Sequence, residues 1–303
     1  MDSVMEIRLP AQQEISGECR PLERGLALSL VLLVTIFLMP ITSLAQNAEQ
    51  ESEKEWEYSL TPYLFLPVAT EGTSTVAGTE ADLDLDLSDV LEILDIAFAT
   101  RFEARRDRFG ILADLYYVSL SLDQGATLKP AVNPELDLTA TLNVDVDVRQ
   151  GWLSLQGMYR AFESPVGAKY PWAVDLSAGA RWNYLKQEID TNLGIDIFPG
   201  PGIQQSLGGT ETWWEPVVGF RTGIEVSSCL TLALRADVGG FGAGGDDLQW
   251  GVLVGAERAF NERHALRFGY LFYGIDYATY RADGRFAYDI DQHGPYLAYS
   301  WRW

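Results

Sequence analysis

From Ala173 to Tyr184 the chain alternates without a break. Val174, Leu176, Ala178, Ala180, Trp182 and Tyr184 fall on one side, and Asp175, Ser177, Gly179, Arg181 and Asn183 on the other. Successive side chains of an extended strand point to opposite faces, so a period of two specifies a strand with one apolar and one polar face. The pattern returns in Leu230, Leu232, Leu234, Ala236 and Val238, then in Leu248, Trp250, Val252, Val254 and Ala256, and again in Leu266, Phe268, Tyr270 and Phe272. Such a chain must find cover for many apolar faces and partners for many strand edges.

The alternation predicts ten strands, over 56–67, 96–107, 109–122, 137–161, 172–190, 212–226, 228–239, 248–260, 263–280 and 286–303. Two places could raise the number to twelve. Ala81 to Leu87 alternates well enough to be a strand of its own. The apolar phase of 136–148 also changes around Gln150, after which Leu153 and Leu155 form the apolar set. A β-bulge within one long strand, or a tight turn between two, would cause that change. One short helix is expected over 88–94, with Asp89 as N-cap and Glu92 three residues on, placed to plug or flank one rim. Connections at 107–110, 227–228 and 261–263 are short. Those at 123–136, 191–211 and 239–247 are long and rich in Gly, Pro, Asp or Asn.

An even number of amphipathic strands joined by alternating short and long connections predicts an all-β fold, a closed antiparallel up-and-down transmembrane β-barrel. Closure leaves no free edge, which is how strands satisfy their backbone groups in lipid. The expected topology puts the short turns and both termini in the periplasm. Ten strands enclose an interior only slightly wider than the filled eight-strand case. A soluble β-sandwich or lipocalin-like binder is the competing fold, and it would turn the apolar faces inward.

The rest of the sequence narrows the class. With 22 Lys+Arg against 43 Asp+Glu, a net charge of −21 argues against a nucleic-acid binder, which needs a basic footprint. A mean hydropathy of −0.03 argues against a polytopic helical membrane protein but not against a barrel, whose two faces average out. Arg20 and Arg24 precede an apolar run from Leu26 to Met39, and Ser43-Leu44-Ala45 supplies small residues after it. That order is expected of a cleaved signal peptide, since the run is short of the roughly 20 residues that span a bilayer. Cys19 lies before the run, the wrong side for lipidation. The expected organisation is a signal peptide over 1–45, an acidic linker over 46–55 and a barrel over 56–303.

The chain ends Gly294-Pro295-Tyr296-Leu297-Ala298-Tyr299-Ser300-Trp301-Arg302-Trp303, with Leu297, Tyr299, Trp301 and Trp303 on one face. Residues 250–303 hold 14 of the 36 aromatic residues, enough to supply girdles at both membrane interfaces. In these stretches the chain resembles a family of largely uncharacterised outer-membrane β-barrel proteins of Gram-negative bacteria. The resemblance is carried by Phe102-Glu103-Ala104-Arg105 through Asp114-Leu115-Tyr116-Tyr117, by Ala178-Gly179-Ala180-Arg181-Trp182, by Arg235-Ala236-Asp237-Val238-Gly239-Gly240-Phe241-Gly242 and by the Gly294-Pro295 ending. It implies an outer-membrane location and reading of the last strand, with Leu297, Tyr299, Trp301 and Trp303, by the barrel-assembly machinery. It transfers no catalytic residue.

Residues that could carry chemistry are few. Gly239 to Gly245 holds five glycines but is followed by Asp246 and Asp247 and has no Lys, so a phosphate cradle is not expected. Asp82, Asp84 and Asp86 alternate with leucines and lack the Gly and Glu of a calcium loop. Asp289, Asp291 and His293 lie together before the last strand and could form a rim acid/His site, which is the enzymatic alternative. The second histidine, His264, lies at the opposite end. The most informative set is the polar phase from residue 172 onward: Asp175, Arg181, Glu215, Arg221, Arg235, Asp237, Glu257 and Arg267. Four acids and four bases facing one lumen predict a cross-barrel ion-pair network more than a selectivity ring of one sign. The expected role is structural or that of a narrow, porin-like pore, without enzymatic activity, cofactor or metal. The expected partners are outer-membrane lipid and lipopolysaccharide, with no nucleic acid; the solute is left open.

Overall fold

The computed structural model describes residues 55–128, 140–195, 203–243 and 245–303. The segment expected to be a signal peptide, all of the expected acidic linker but Glu55, and Gly244 lie outside the described residues. The described chain is strand nearly throughout: β1 (Glu57–Phe65), β2 (Ala69–Val76), β3 (Thr79–Asp86), then α1 (Leu87–Ile93), β4 (Leu94–Arg106), β5 (Phe109–Leu128), β6 (Ala140–Glu163), β7 (Trp172–Ile195), β8 (Ile203–Ser227), β9 (Leu230–Gly240), β10 (Asp246–Ala259), β11 (His264–Arg281) and β12 (Gly284–Arg302). β1 and β4 to β12 follow one another antiparallel, and β12 closes on β1, giving a ten-stranded barrel. Seam pairs run from Ser59↔Arg302 to Phe65↔Tyr296.

The two remaining strands form a hairpin. β2 continues along β12 beyond the end of β1, from Ala69↔His293 to Thr75↔Ala287, and β3 folds back on it. The strand expected at 81–87 therefore exists but lies outside the closed ring. Gly72 lets the hairpin approach: its φ is +147°, and a Cβ there would run into the Asp289 carbonyl.

α1 begins earlier than the sequence suggests. Asp86, not Asp89, is the N-cap: its carboxylate accepts from the Ser88 and Asp89 amides at 2.7 and 3.0 Å. Asp89 returns a bond from the Asp86 amide at 3.0 Å, which completes a capping box. The reason is positional, because Asp86 ends β3 in extended conformation, the geometry a cap requires. The Ser88 hydroxyl, then the two amides, hold the Asp86 carboxyl below its ordinary range.

The phase change around Gln150 is neither a bulge nor a turn. β6 passes through it in unbroken register with β5 and β7, and the only irregularity in its pairing with β7 lies at Arg160/Phe162. What changes is the environment. Below this level Leu153, Leu155, Ile111 and Leu176 are exposed on the outside, while Gln150, Ser154 and Gln156 are buried within. Above it the outward row is Ser119, Arg149 and Lys186, then Ser121, Asp147 and Glu188, each row aligned across β5, β6 and β7. The inward residues there are mostly apolar, with Leu185 wholly buried and Gln187 buried beside it. An apolar belt thus ends at Tyr117, Gly151 and Tyr184, and the strands continue beyond it with the opposite polarity. This extension corrects the expected loops: β5 runs to Leu128, β7 to Ile195, and β8 starts at Ile203.

Candidate functional site in the barrel lumen

The lumen is layered. At the end where the chain enters β1 and leaves β12, a chamber of about 1110 Å³ is lined by charged residues, among them Arg105, Arg160, Asp175, Arg221, Glu257 and Arg302. These side chains occupy the inward phase of their strands, which places them where charge is tolerated only if paired or wet.

Some of the pairs join neighbouring strands and others cross the lumen, among them Arg221–Glu103 and Arg105–Asp175. Arg221 on β8 meets both carboxylate oxygens of Glu103 on β4 at 2.8 Å, and Asp175 on β7 at 2.9 Å. Asp175 also receives Arg105 of β4 at 2.6 Å and Arg160 of β6 at 3.0 Å, so one carboxylate takes three guanidinium groups. Arg181 contacts Glu215 at 3.2 Å and Asp237 at 2.5 Å. Arg267 meets Glu257 at 2.7 Å, and Arg302 meets the same carboxylate. Arg101 and Asp114 pair between β4 and β5, with Tyr63 donating its hydroxyl to Asp114 at 2.8 Å. Arg235 stands between Asp114 and Asp237, 3.8 Å from each.

All eight residues singled out from the sequence face the lumen, but not in one network. Asp175 and Arg221 belong to one cluster, Arg181, Glu215, Asp237 and Arg235 to a second, and Glu257 and Arg267 to a third. Six further members, Arg101, Glu103, Arg105, Asp114, Arg160 and Arg302, were not anticipated. Arg101, Glu103 and Arg105 carried the signal: they share the inward phase of β4 at a spacing of two.

Above the charges the lumen is filled by rings. Tyr116 on β5 stacks on Trp152 of β6 at 4.0 Å between centroids, and Trp152 stacks on Tyr273 of β11 at 5.4 Å. β6 and β11 are five places apart in a ring of ten, so this stack spans the full diameter. The Tyr273 hydroxyl accepts from Gln150 at 2.9 Å and Gln249 at 3.0 Å. A second stack, Trp213 on Tyr277 at 3.8 Å, lies above, within a core that includes Leu185, Ile275, Phe286 and Ile290. The chamber is thus open at one end and capped by packed aromatic and aliphatic side chains towards the other.

The other candidates sit elsewhere. His293 faces outward, its Nδ1 2.7 Å from the Tyr270 hydroxyl and its ring 6.0 Å from Phe272. Asp289 and Asp291 lie above it on the same outward phase of β12. His264 is likewise held by Tyr299, at 2.9 Å. Asp82 and Asp84 are exposed on β3, and among the described residues no cluster of His, Cys, Asp or Glu could hold a metal ion. Gly239 and Gly240 end β9, and 241–245 connect it to β10. Leu297, Tyr299 and Trp303 are exposed on the outer face, where Trp303 stacks with Tyr58 at 5.9 Å and packs beside Trp301 at 5.0 Å.

No protein-family model and no curated protein sequence matches the chain. Solved structures with a related shape are outer-membrane proteins. The outer membrane protease OmpT from Escherichia coli is 8% identical, with 84% of this chain and 99% of that one covered and a TM-score of 0.49. The translocator domain of the autotransporter NalP from Neisseria meningitidis is 11% identical over 84% and 90%, with a TM-score of 0.37. An outer membrane channel from Pseudomonas putida F1 is 12% identical over 85% and 100%, with a TM-score of 0.33. Identity this low says nothing about activity. The chain's own closure, strand number and outer apolar belt make it a ten-stranded antiparallel β-barrel of the membrane-spanning kind.

Proposed function

We propose that the protein is an integral outer-membrane barrel with a closed lumen, structural and non-enzymatic, whose charged chamber opens to the periplasm. The observation that carries this reading is the Tyr116–Trp152–Tyr273 stack, which bridges opposite walls and is pinned by Gln150 and Gln249. A solute would have to displace packed rings and then separate cross-barrel ion pairs, each costly inside a low-dielectric lumen. The belt of exposed apolar residues meets lipid, the polar extensions of β5 to β8 stand among lipopolysaccharide headgroups, and the terminal strand engages the assembly machinery. Termini in the periplasm put the short turns on that side, the usual arrangement for such barrels.

Liposome swelling tests the reading. Vesicles carrying the native chain should exclude arabinose, whereas a variant that removes both stacks, with Trp152, Tyr273, Trp213 and Tyr277 all replaced by Ala, should admit it. Swelling with the native chain at the rate of an open porin would overturn the closed lumen.

A further inference from the structure

Above Pro62 the barrel wall parts. β1 pairs with β4 from Glu57↔Arg105 to Pro62↔Thr100. Beyond that point Tyr63, Leu64 and Phe65 pair with β12, while Leu94 and Ile96 to Ala99 pair with β5. Among the described pairings none joins these two stretches to each other. Pro62 has no N–H to donate across the divide, and Pro67 lacks one too. The β2–β3 hairpin and α1 cover the gap, with α1 resting on β3 and β5.

Behind the gap is a cavity of about 140 Å³ lined by Leu85, Val90, Ile93, Leu94, Phe98 and Val118. Its inner end reaches Gln150 and Gln292, and both amides already have partners, in Tyr273 at 2.9 Å and Thr70 at 3.1 Å. Apart from these amides, Thr70 and the rings of Tyr63, Tyr116 and Tyr288, the lining is aliphatic or phenyl, so the cavity offers a largely apolar surface. A void of about 150 Å³ with aliphatic and aromatic walls stays dry and accepts a benzene-sized apolar molecule. Its mouth lies high in the apolar belt: Phe98 pairs with Tyr117, at the belt's upper limit, and Leu64, Leu91 and Phe98 are exposed around it. In the topology proposed above, that level is the outer leaflet.

We infer that this cavity is a lateral site for an alkyl chain of an outer-leaflet lipid, whose end enters between β1 and β4. The occupant follows from position. The exposed rim is continuous with the lipid-facing belt, so acyl chains are the molecules in contact with the mouth. A chain end in the cavity also keeps water from the separated strand edges, whose polar groups are costly to leave without partners. The site rests on the membrane placement of the belt and not on closure of the lumen.

Methyl NMR of the full mature chain in phosphatidylcholine nanodiscs tests it, with a nitroxide near the end of the acyl chain. The Val118 methyls should broaden as strongly as those of lipid-facing Leu232, while those of buried Val217 should not. With the nitroxide on the headgroup instead, filling the cavity should leave the Val118 broadening unchanged, which separates tail entry from proximity to the interface. In Val90→Trp, which fills the cavity, broadening at Val118 should fall to the Val217 level with Leu232 unchanged. Leu94→Trp serves the same purpose if the first variant does not fold. Val118 matching Val217 in the native chain, or broadening that survives both fillings, would overturn the site. Loss of broadening at Leu232 would instead refute the membrane placement.

Discussion

Asp175 accepts Arg105, Arg160 and Arg221 while its side chain is only 7% exposed. Removing the charge from such a centre leaves three guanidinium groups facing one another, and breaking a buried ion pair on one side costs about 3–5 kcal/mol. Arg160 and Arg221 retain some water contact, which favours the lower end of that range. Asp175→Asn should therefore destabilise the barrel by about 3 kcal/mol, measured as a lowered urea midpoint in vesicles. Glu163→Gln, which removes an exposed partner of Arg108, should change stability by less than about 1 kcal/mol. Equal effects from the two would contradict the buried cluster. Half of this chemistry was legible in the sequence. The alternating phase places Asp175 and Arg221 on the inward face, and the same rule extended to β4 would have found Arg101, Glu103 and Arg105. What the phase does not encode is register or which strands lie across the lumen, so neither the direct opposition of Asp175 to Arg160 and Arg221 nor its pairing with Arg105 was legible.

At the level of elements, β6 carries the clearest lesson. Its apolar residues switch sides at Gln150 without any change in register, because the surroundings switch from lipid outside to water outside. A pattern rule that assumes one environment per strand mistakes this for a bulge. The same assumption turned the polar upper half of β8 into a loop, and it missed β2, whose Thr, Ser and Gly residues carry little apolar phase. The inversion predicts where the membrane ends. A cysteine placed at Asp147 should react with an impermeant maleimide on intact cells, and one at Leu153 should not. Labelling at both positions, or at neither, would contradict the boundary. The seam makes a separate prediction. Trp303 exchanges both backbone bonds with Tyr58, each at 3.1 Å, and Leu60 pairs with Trp301. Deleting Trp301 to Trp303 strips these partners from β1 within hydrocarbon, at several kcal/mol per unsatisfied group. The truncated chain should fail to reach the outer membrane as a heat-modifiable band; normal assembly would contradict closure by β12.

For the whole molecule, the two halves of the lumen obey opposite rules. The lower half is polar inside and apolar outside, as lipid demands. The upper half is mostly apolar inside, with Gln187 and Gln249 buried among the rings, and polar outside, and its aromatic core closes what the charged chamber leaves open. The overall class and the ten-strand ring were legible because alternation and turn spacing report them locally. Closure of the lumen was not, since it depends on Trp152 and Tyr273 meeting from opposite walls. Single-channel recording of the refolded mature chain in a planar bilayer tests that closure most directly. The closed lumen predicts a flat trace at moderate voltage, with stepwise openings only when both ring stacks, Trp152 with Tyr273 and Trp213 with Tyr277, are replaced by Ala. Steady ohmic steps from the native chain would contradict it.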